Sequence, residues 1–212
     1  MIITRQKNFE DILCSVEKGP VFLIGCSECA TLCHTGGEEE VLAIKKKFEK
    51  KNIKVTGWVI LDPACHFLND KRLLKSHINE INLAEKILVL ACGNGIQTVS
   101  EIFDKSDIIS GTDTLFLGEI KRLTDFQRRC SLCGDCLLDL FGGLCPISRC
   151  PKEMLNGPCG GSIKGKCEIN TDLECIWDII YSHLREKGQL NKLKAIQKPK
   201  DWSKSIEMGR IL

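Results

Sequence analysis

The chain has 212 residues, 43% of them hydrophobic and 27% charged, which is enough for one moderate core or a core plus an appendage. A net charge of +2, a single Tyr and 6% aromatic content argue against a nucleic-acid or anionic-membrane partner. No apolar run approaches the roughly 18 residues of a membrane span, and Met1-Ile-Ile-Thr-Arg-Gln-Lys7 turns polar too early for a signal peptide.

The first 120 residues read as alternating helices and strands. Phe9, Ile12, Leu13 and Val16 have helical spacing, with Cys14 beside the stripe as an ordinary packed or idle thiol. Val21 to Ile24 is a short buried strand ending in Gly25. Gly36-Gly37 opens a helix with Glu38, Glu39 and Glu40 in its first turns and Lys45, Lys46, Lys47, Lys50 and Lys51 toward its end, the polarity that suits the helix dipole. Val41, Leu42, Ile44 and Phe48 form its apolar stripe. Ile53 to Leu61 predicts a second strand, stopped by Asp62-Pro63. Leu73, Leu74, Ile78 and Ile81 predict a second helix, and Ile87 to Leu90 a third strand. Ile96, Val99, Ile102 and Phe103 mark another helix, and Thr114 to Leu117 a fourth strand. Continuous apolar strands separated by helices predict an α/β fold with a flavodoxin-like parallel sheet, covered on both faces.

Beyond residue 120 the character changes. Cysteine, glycine and proline replace hydrophobic periodicity over 121–183, which predicts a segment with little regular structure that folds only when stapled. Residues 184–212 are polar and basic, with Trp202 as their one large aromatic, and read as a partner-docking or partly disordered tail.

Of the fourteen cysteines, eight fall between Cys130 and Cys175. A cytoplasmic setting is expected, where thiols stay reduced, so metal or cluster ligation is expected in place of disulfides. Cys130-x2-Cys133-x2-Cys136 followed by Cys145-Pro146 is similar to the ferredoxin run, in which three close cysteines hold one [4Fe–4S] cluster and the fourth can serve another. Here the last spacer is eight residues, not three. Cys150, Cys159, Cys167 and Cys175 follow at wider intervals, completing the number needed for two four-thiolate sites. Two structural zinc sites are the alternative, though no second C-x2-C knuckle is present.

The strings Cys145-Pro-Ile-Ser-Arg-Cys-Pro-Lys152, Asn156-Gly-Pro-Cys-Gly-Gly-Ser162, Gly165-Lys-Cys-Glu168 and Cys175-Ile-Trp-Asp-Ile-Ile-Tyr181 resemble the MetV family, the small iron–sulfur subunits of bacterial methylenetetrahydrofolate reductase. Gly25-Cys-Ser-Glu-Cys-Ala-Thr-Leu-Cys33 and Ala91-Cys-Gly-Asn-Gly-Ile-Gln97 are similar to the long form of that family. The resemblance covers most of residues 20–182. It implies two [4Fe–4S] clusters on the eight C-terminal cysteines. It also implies a complex with a flavin-bearing TIM-barrel catalytic subunit that reduces methylenetetrahydrofolate, to whose flavin this chain would pass electrons. Beside this, Gly160, Gly161 and Gly165 are expected to allow positive φ and close backbone approach to a cluster.

Cys26, Cys65 and Cys92 each follow a predicted parallel strand, and Cys29 and Cys33 lie on the turn after the first. The carboxyl edge of an open α/β sheet is where ligands bind. The five thiols therefore predict a third metal site, a [4Fe–4S] cluster or zinc, with at least one thiol to spare. His34 and His66 adjoin two of the cysteines and keep zinc open. Gly93-x-Gly95 invites a dinucleotide reading, but the third glycine is absent and Thr98 stands in its place.

The expected function is electron transfer without a substrate pocket, with ferredoxin or another iron–sulfur subunit as donor. The alternatives are a zinc-stapled interaction module and a free-standing cluster enzyme.

Overall fold

The computed structural model describes residues 1–17, 19–123 and 125–205, and it divides into two compact units, Met1–Phe116 and Leu117–Leu212. In the first unit four strands, β2 (Val21–Cys26), β3 (Val55–Leu61), β4 (Lys86–Leu90) and β5 (Asp107–Ser110), form a parallel sheet in the order β3-β2-β4-β5. Counted by first appearance this is 2-1-3-4, the order of doubly wound folds that bind ligands where the winding reverses.

Side-chain alternation on the central strands explains the layers. Phe22, Ile24, Ile87 and Val89 join one core with Leu74, Ile81 and Val99. These come from α4 (Phe67–Ser76), α5 (Ile78–Asn82) and α6 (Gly93–Ile102). Leu23, Leu88 and Leu90 point the other way, into a core with Ile12 and Val16 of α1 (Phe9–Val16) and with Val41, Ile44 and Phe48 of α3 (Glu38–Lys50). Two-sided burial is why these strands read as unbroken apolar runs. Each such side chain fully buried contributes about 1.5–3 kcal/mol. The N-terminus of α3 is closed by Glu40, whose Oε2 accepts from the Gly37 N–H at 2.9 Å.

The fourth parallel strand is Asp107–Ser110, not Thr114–Leu117. The latter residues lie in β6 (Thr112–Arg122), which pairs antiparallel with β7 (Asp125–Cys130). Thr114 and Leu115 are exposed, so their apolar run was not the mark of a two-sided sheet. A strand missed in the polar N-terminus, β1 (Ile2–Gln6), completes a three-stranded sheet in the order β1-β6-β7. The helix expected across Leu73 to Ile81 is two helices, broken at His77, where the backbone leaves helical geometry.

The second unit is less irregular than its composition predicts. It holds a four-residue helix at Pro146–Arg149 (α7), an eleven-residue helix at Ile176–Glu186 (α8), and short 3-10 helices at Leu190–Lys194 and Trp202–Ser205. Ile176, Trp177, Ile180 and Leu184 of α8 pack with Phe141 into an apolar cluster of their own. Trp177 meets Phe141 edge-on at 5.4 Å and donates to the Met154 carbonyl at 3.0 Å. The start of the expected tail is bound to this unit. Leu190 and Leu193 join the same cluster, and Asn156 exchanges hydrogen bonds with the Gln197 backbone at 2.7 and 2.8 Å. Residues 206–212 of the tail lie outside the described residues.

Candidate metal centres

The carboxyl edge of the four-stranded sheet carries the first group of thiols. Cys26 is the last residue of β2 and is in register with Leu61, the last of β3. Leu90 ends β4, and Cys92 two residues later is the N-cap of α6. Cys65 lies on the turn between β3 and α4. The chain after β2 folds back sharply. The Cys26 N–H donates to the Gly36 carbonyl at 2.9 Å, and the Thr31 hydroxyl donates to the Cys26 carbonyl at 2.7 Å. A short helix, α2 (Cys29–Leu32), follows, with Cys33 as its C-cap.

This edge brings four of the five expected thiols within electrostatic reach of one another. The Cys65 thiol is pushed up by burial first, and then by Cys92, Cys26 and Cys29. Cys65 is nonetheless exposed as a residue. Cys33 is not among these neighbours. Its thiol donates to the Ile2 carbonyl at 3.8 Å, toward β1. Cys29 also meets this strand, accepting from the Ile2 N–H at 3.4 Å. The histidines are otherwise engaged: His66 Nδ1 accepts from the Asn69 N–H at 3.2 Å as the N-cap of α4, and His34 Nδ1 lies 3.9 Å from Glu40. Cys14 is exposed on α1.

Two threonines that carried no signal in the sequence hold the Cys92 loop. The Thr112 hydroxyl donates to the Ala91 carbonyl, and the Thr114 hydroxyl accepts from the Gly93 N–H at 2.7 Å. Gly95 is needed for packing, since a Cβ there would press on Ala64 and Ala91. The glycine pair thus serves the loop's fit, and the dinucleotide reading gains nothing.

In the second unit all eight cysteines line two cavities. The first is ≈ 90 Å³ and is lined by Cys130, Cys133, Cys136 and Cys145, with Arg129 and Lys200 among its other walls. Cys130 ends β7, and left-handed residues Leu132 (φ 54°) and Gly134 (φ 71°) curl the chain between the next thiols. Cys145 caps α7. The Ser148 hydroxyl of α7 donates to the Arg129 carbonyl at 2.8 Å, which ties this helix to the end of β7. Lys200 has a nearly buried side chain and donates to the Asp135 carbonyl.

The second cavity, ≈ 20 Å³, is lined by Cys150, Cys159, Cys167 and Cys175, with Lys152 and Glu168. Cys175 is the N-cap of α8, and its N–H donates to the Gly165 carbonyl at 2.8 Å. The Cys159 thiol donates to Glu168 Oε1 at 3.4 Å. Glu168 also accepts from Lys152, which holds its carboxyl below the usual range and the Lys152 ammonium above its own. Gly160 and Gly165 both have φ of 77°, as expected. Gly161 does not share that conformation: a Cβ there would meet the Glu168 carboxylate.

Among the described residues no three His, Cys, Asp or Glu side chains stand within one coordination shell. The donor chemistry fits cluster ligation, since each cavity is walled by four thiols and thiolates are the ligands of [4Fe–4S] centres. A volume of ≈ 20 Å³ holds about one water, so the second set must spread to take four irons. The left-handed glycines Gly160 and Gly165, with no atom crowding them, allow that movement.

Residues 109–203 match a family model described as the C-terminal part of methylene-tetrahydrofolate reductase. This segment, less than half of the chain, is related to that domain, and it contains all eight cavity-lining cysteines. No curated protein and no solved structure matches the chain. No helix among the described residues is long and apolar enough to cross a membrane.

Proposed function

We propose that this chain is an electron-transfer subunit of a methylenetetrahydrofolate-reductase-type complex, with [4Fe–4S] clusters on Cys130, Cys133, Cys136, Cys145, Cys150, Cys159, Cys167 and Cys175. The observation that carries the reading is that these eight thiols fall inside the segment matching the reductase C-terminal family and wall two separate cavities. When bound, such clusters accept and release single electrons. The chain's own part is to hold the thiolates in short loops and to aim backbone N–H groups at them, as left-handed Leu132 does toward Cys130 at 3.3 Å. The partner is a flavin-bearing catalytic subunit, and the donor a ferredoxin or another iron–sulfur subunit. A third metal, a [4Fe–4S] cluster or zinc, belongs at the sheet edge. Cys26, Cys29, Cys65 and Cys92 are its ligands, and Cys33 is the thiol to spare, since it alone of the five has no electrostatic effect on Cys65.

Anaerobically purified protein is expected to be brown, to absorb broadly near roughly 400 nm, and to contain iron with acid-labile sulfide. A colourless protein holding zinc alone overturns the reading. At the sheet edge, Cys33→Ala should keep the full metal content, whereas Cys65→Ala should lose the metal of that site. Equal loss in both would reject Cys33 as the spare.

A further inference from the structure

We infer that the eight C-terminal thiols divide in chain order: Cys130, Cys133, Cys136 and Cys145 hold one cluster, and Cys150, Cys159, Cys167 and Cys175 the other. This rests on the iron–sulfur reading above and adds the ligand sets. The ferredoxin run makes the opposite assignment, because there the cysteine before proline ligates the second cluster.

Three observations set the division. No residue lines both cavities. The eight-residue spacer between Cys136 and Cys145 is folded back on itself: the Leu140 N–H donates to the Leu137 carbonyl at 3.1 Å and the Gly143 N–H to the Leu138 carbonyl at 2.7 Å. Gly142 and Gly143, at φ 66° and 88°, then reverse the chain and return Cys145 to the cavity it left at Cys136. Phe141, within this spacer, lines that cavity and packs on Trp177, so the return is fixed by apolar burial. Finally, α7 separates Cys145 from Cys150. Its four residues span about 6 Å at 1.5 Å per residue, which sets the two thiols at opposite ends of a rigid spacer.

The test uses the full chain, purified anaerobically and reduced, with iron analysis and electron paramagnetic resonance. Cys133→Ser and Cys145→Ser should each alter the same signal, and Cys150→Ser and Cys167→Ser the other. The double variant Cys133→Ser/Cys145→Ser should retain one C-terminal cluster, while Cys133→Ser/Cys150→Ser should retain neither intact. Cys145→Asp and Cys150→Asp keep an anionic ligand and are read the same way should serine prevent loading. Grouping of Cys145 with Cys150 overturns the division and leaves the iron–sulfur reading standing. Absence of iron from the unaltered chain overturns that reading itself.

A separate observation concerns Arg129. Its Nε is buried and has no hydrogen-bond partner among the described residues, while Nη2 donates to Glu119 at 2.5 Å and Gln127 at 3.0 Å. Arg129 precedes Cys130 and lines the first cavity. We propose that this N–H and its charge act on the first cluster as a positioning and tuning group. Donors and positive charge near a cluster favour its reduced form. Arg129→Gln should lower the midpoint potential of the signal assigned to Cys130–Cys145 and leave the other unmoved, with iron content unchanged. Arg129→Lys, which keeps the charge, should recover part of the shift. An unchanged potential in both variants overturns the assignment.

Discussion

Asp70 lies fully buried in the first turn of α4, where its Oδ2 accepts from the His66 N–H at 3.2 Å and its Oδ1 has no hydrogen-bond partner among the described residues. Burial raises its carboxyl above the ordinary aspartate range, outweighing the lowering by the His66 backbone. A carboxyl raised in the folded state holds its proton more tightly there than in the unfolded chain. Stability is therefore full below the ordinary aspartate range, falls as pH rises through the shifted range, and stays lower at neutrality. Asp70→Asn keeps the acceptor and removes the buried charge. It should raise stability at pH 7 by about 1 kcal/mol, read as urea unfolding of the sheet unit, with the gain vanishing in acid. A gain that persists at low pH would point to packing and not charge. Nothing in the sequence around Asp70 marks this residue, because an aspartate early in a helix is ordinary and its burial comes from what packs over it.

At the scale of elements, α8 shows how composition misled. Cysteine, glycine and proline dominate 121–175, yet Ile176, Trp177, Ile180 and Leu184 follow helical spacing and build a core with Phe141. That apolar stripe begins directly after Cys175, so the cysteine string and the helical spacing share the same residues. Trp177→Ala should cost about 3–5 kcal/mol, the range for deleting a large buried aromatic, measured as loss of thermal stability in the anaerobic protein. A cost under about 1 kcal/mol would mean that ligation alone holds this unit. The reverse error occurred at Thr114 to Leu117. Four consecutive residues of this kind look alike in a parallel and an antiparallel strand, and only the neighbours of β6, which lies between β1 and β7, separate the two. The central strands β2 and β4 were legible because burial on both faces leaves an unbroken apolar run.

At the scale of the whole molecule, the two units differ in what sustains them. Met1–Phe116 has two apolar layers around a parallel sheet, whereas Leu117–Leu212 has one small apolar cluster and eight free thiols. Removing iron with a chelator should therefore strip amide-exchange protection from 125–175 first and leave β2 and β4 protected. Mass-spectrometric hydrogen exchange checks this, and simultaneous loss in both units would show that they unfold as one.

The thiol inventory, the strands that end in cysteine and the run Cys130-x2-Cys133-x2-Cys136 were set by the sequence itself. Those features depend on neighbours a few residues apart, where spacing limits reach. Which thiols gather was decided by tertiary structure alone. Closing a loop of eight residues or sixteen differs by only about 0.6 kcal/mol, so spacing could not choose a site for Cys145. In the folded chain Cys145 lines the same cavity as Cys130, Cys133 and Cys136, and Phe141 of the intervening spacer packs on Trp177. Likewise the parallel pairing of β2 with β3 and β4 sets the loops of Cys65 and Cys92 beside Cys26, while Cys29 and Cys33 both meet the Ile2 backbone.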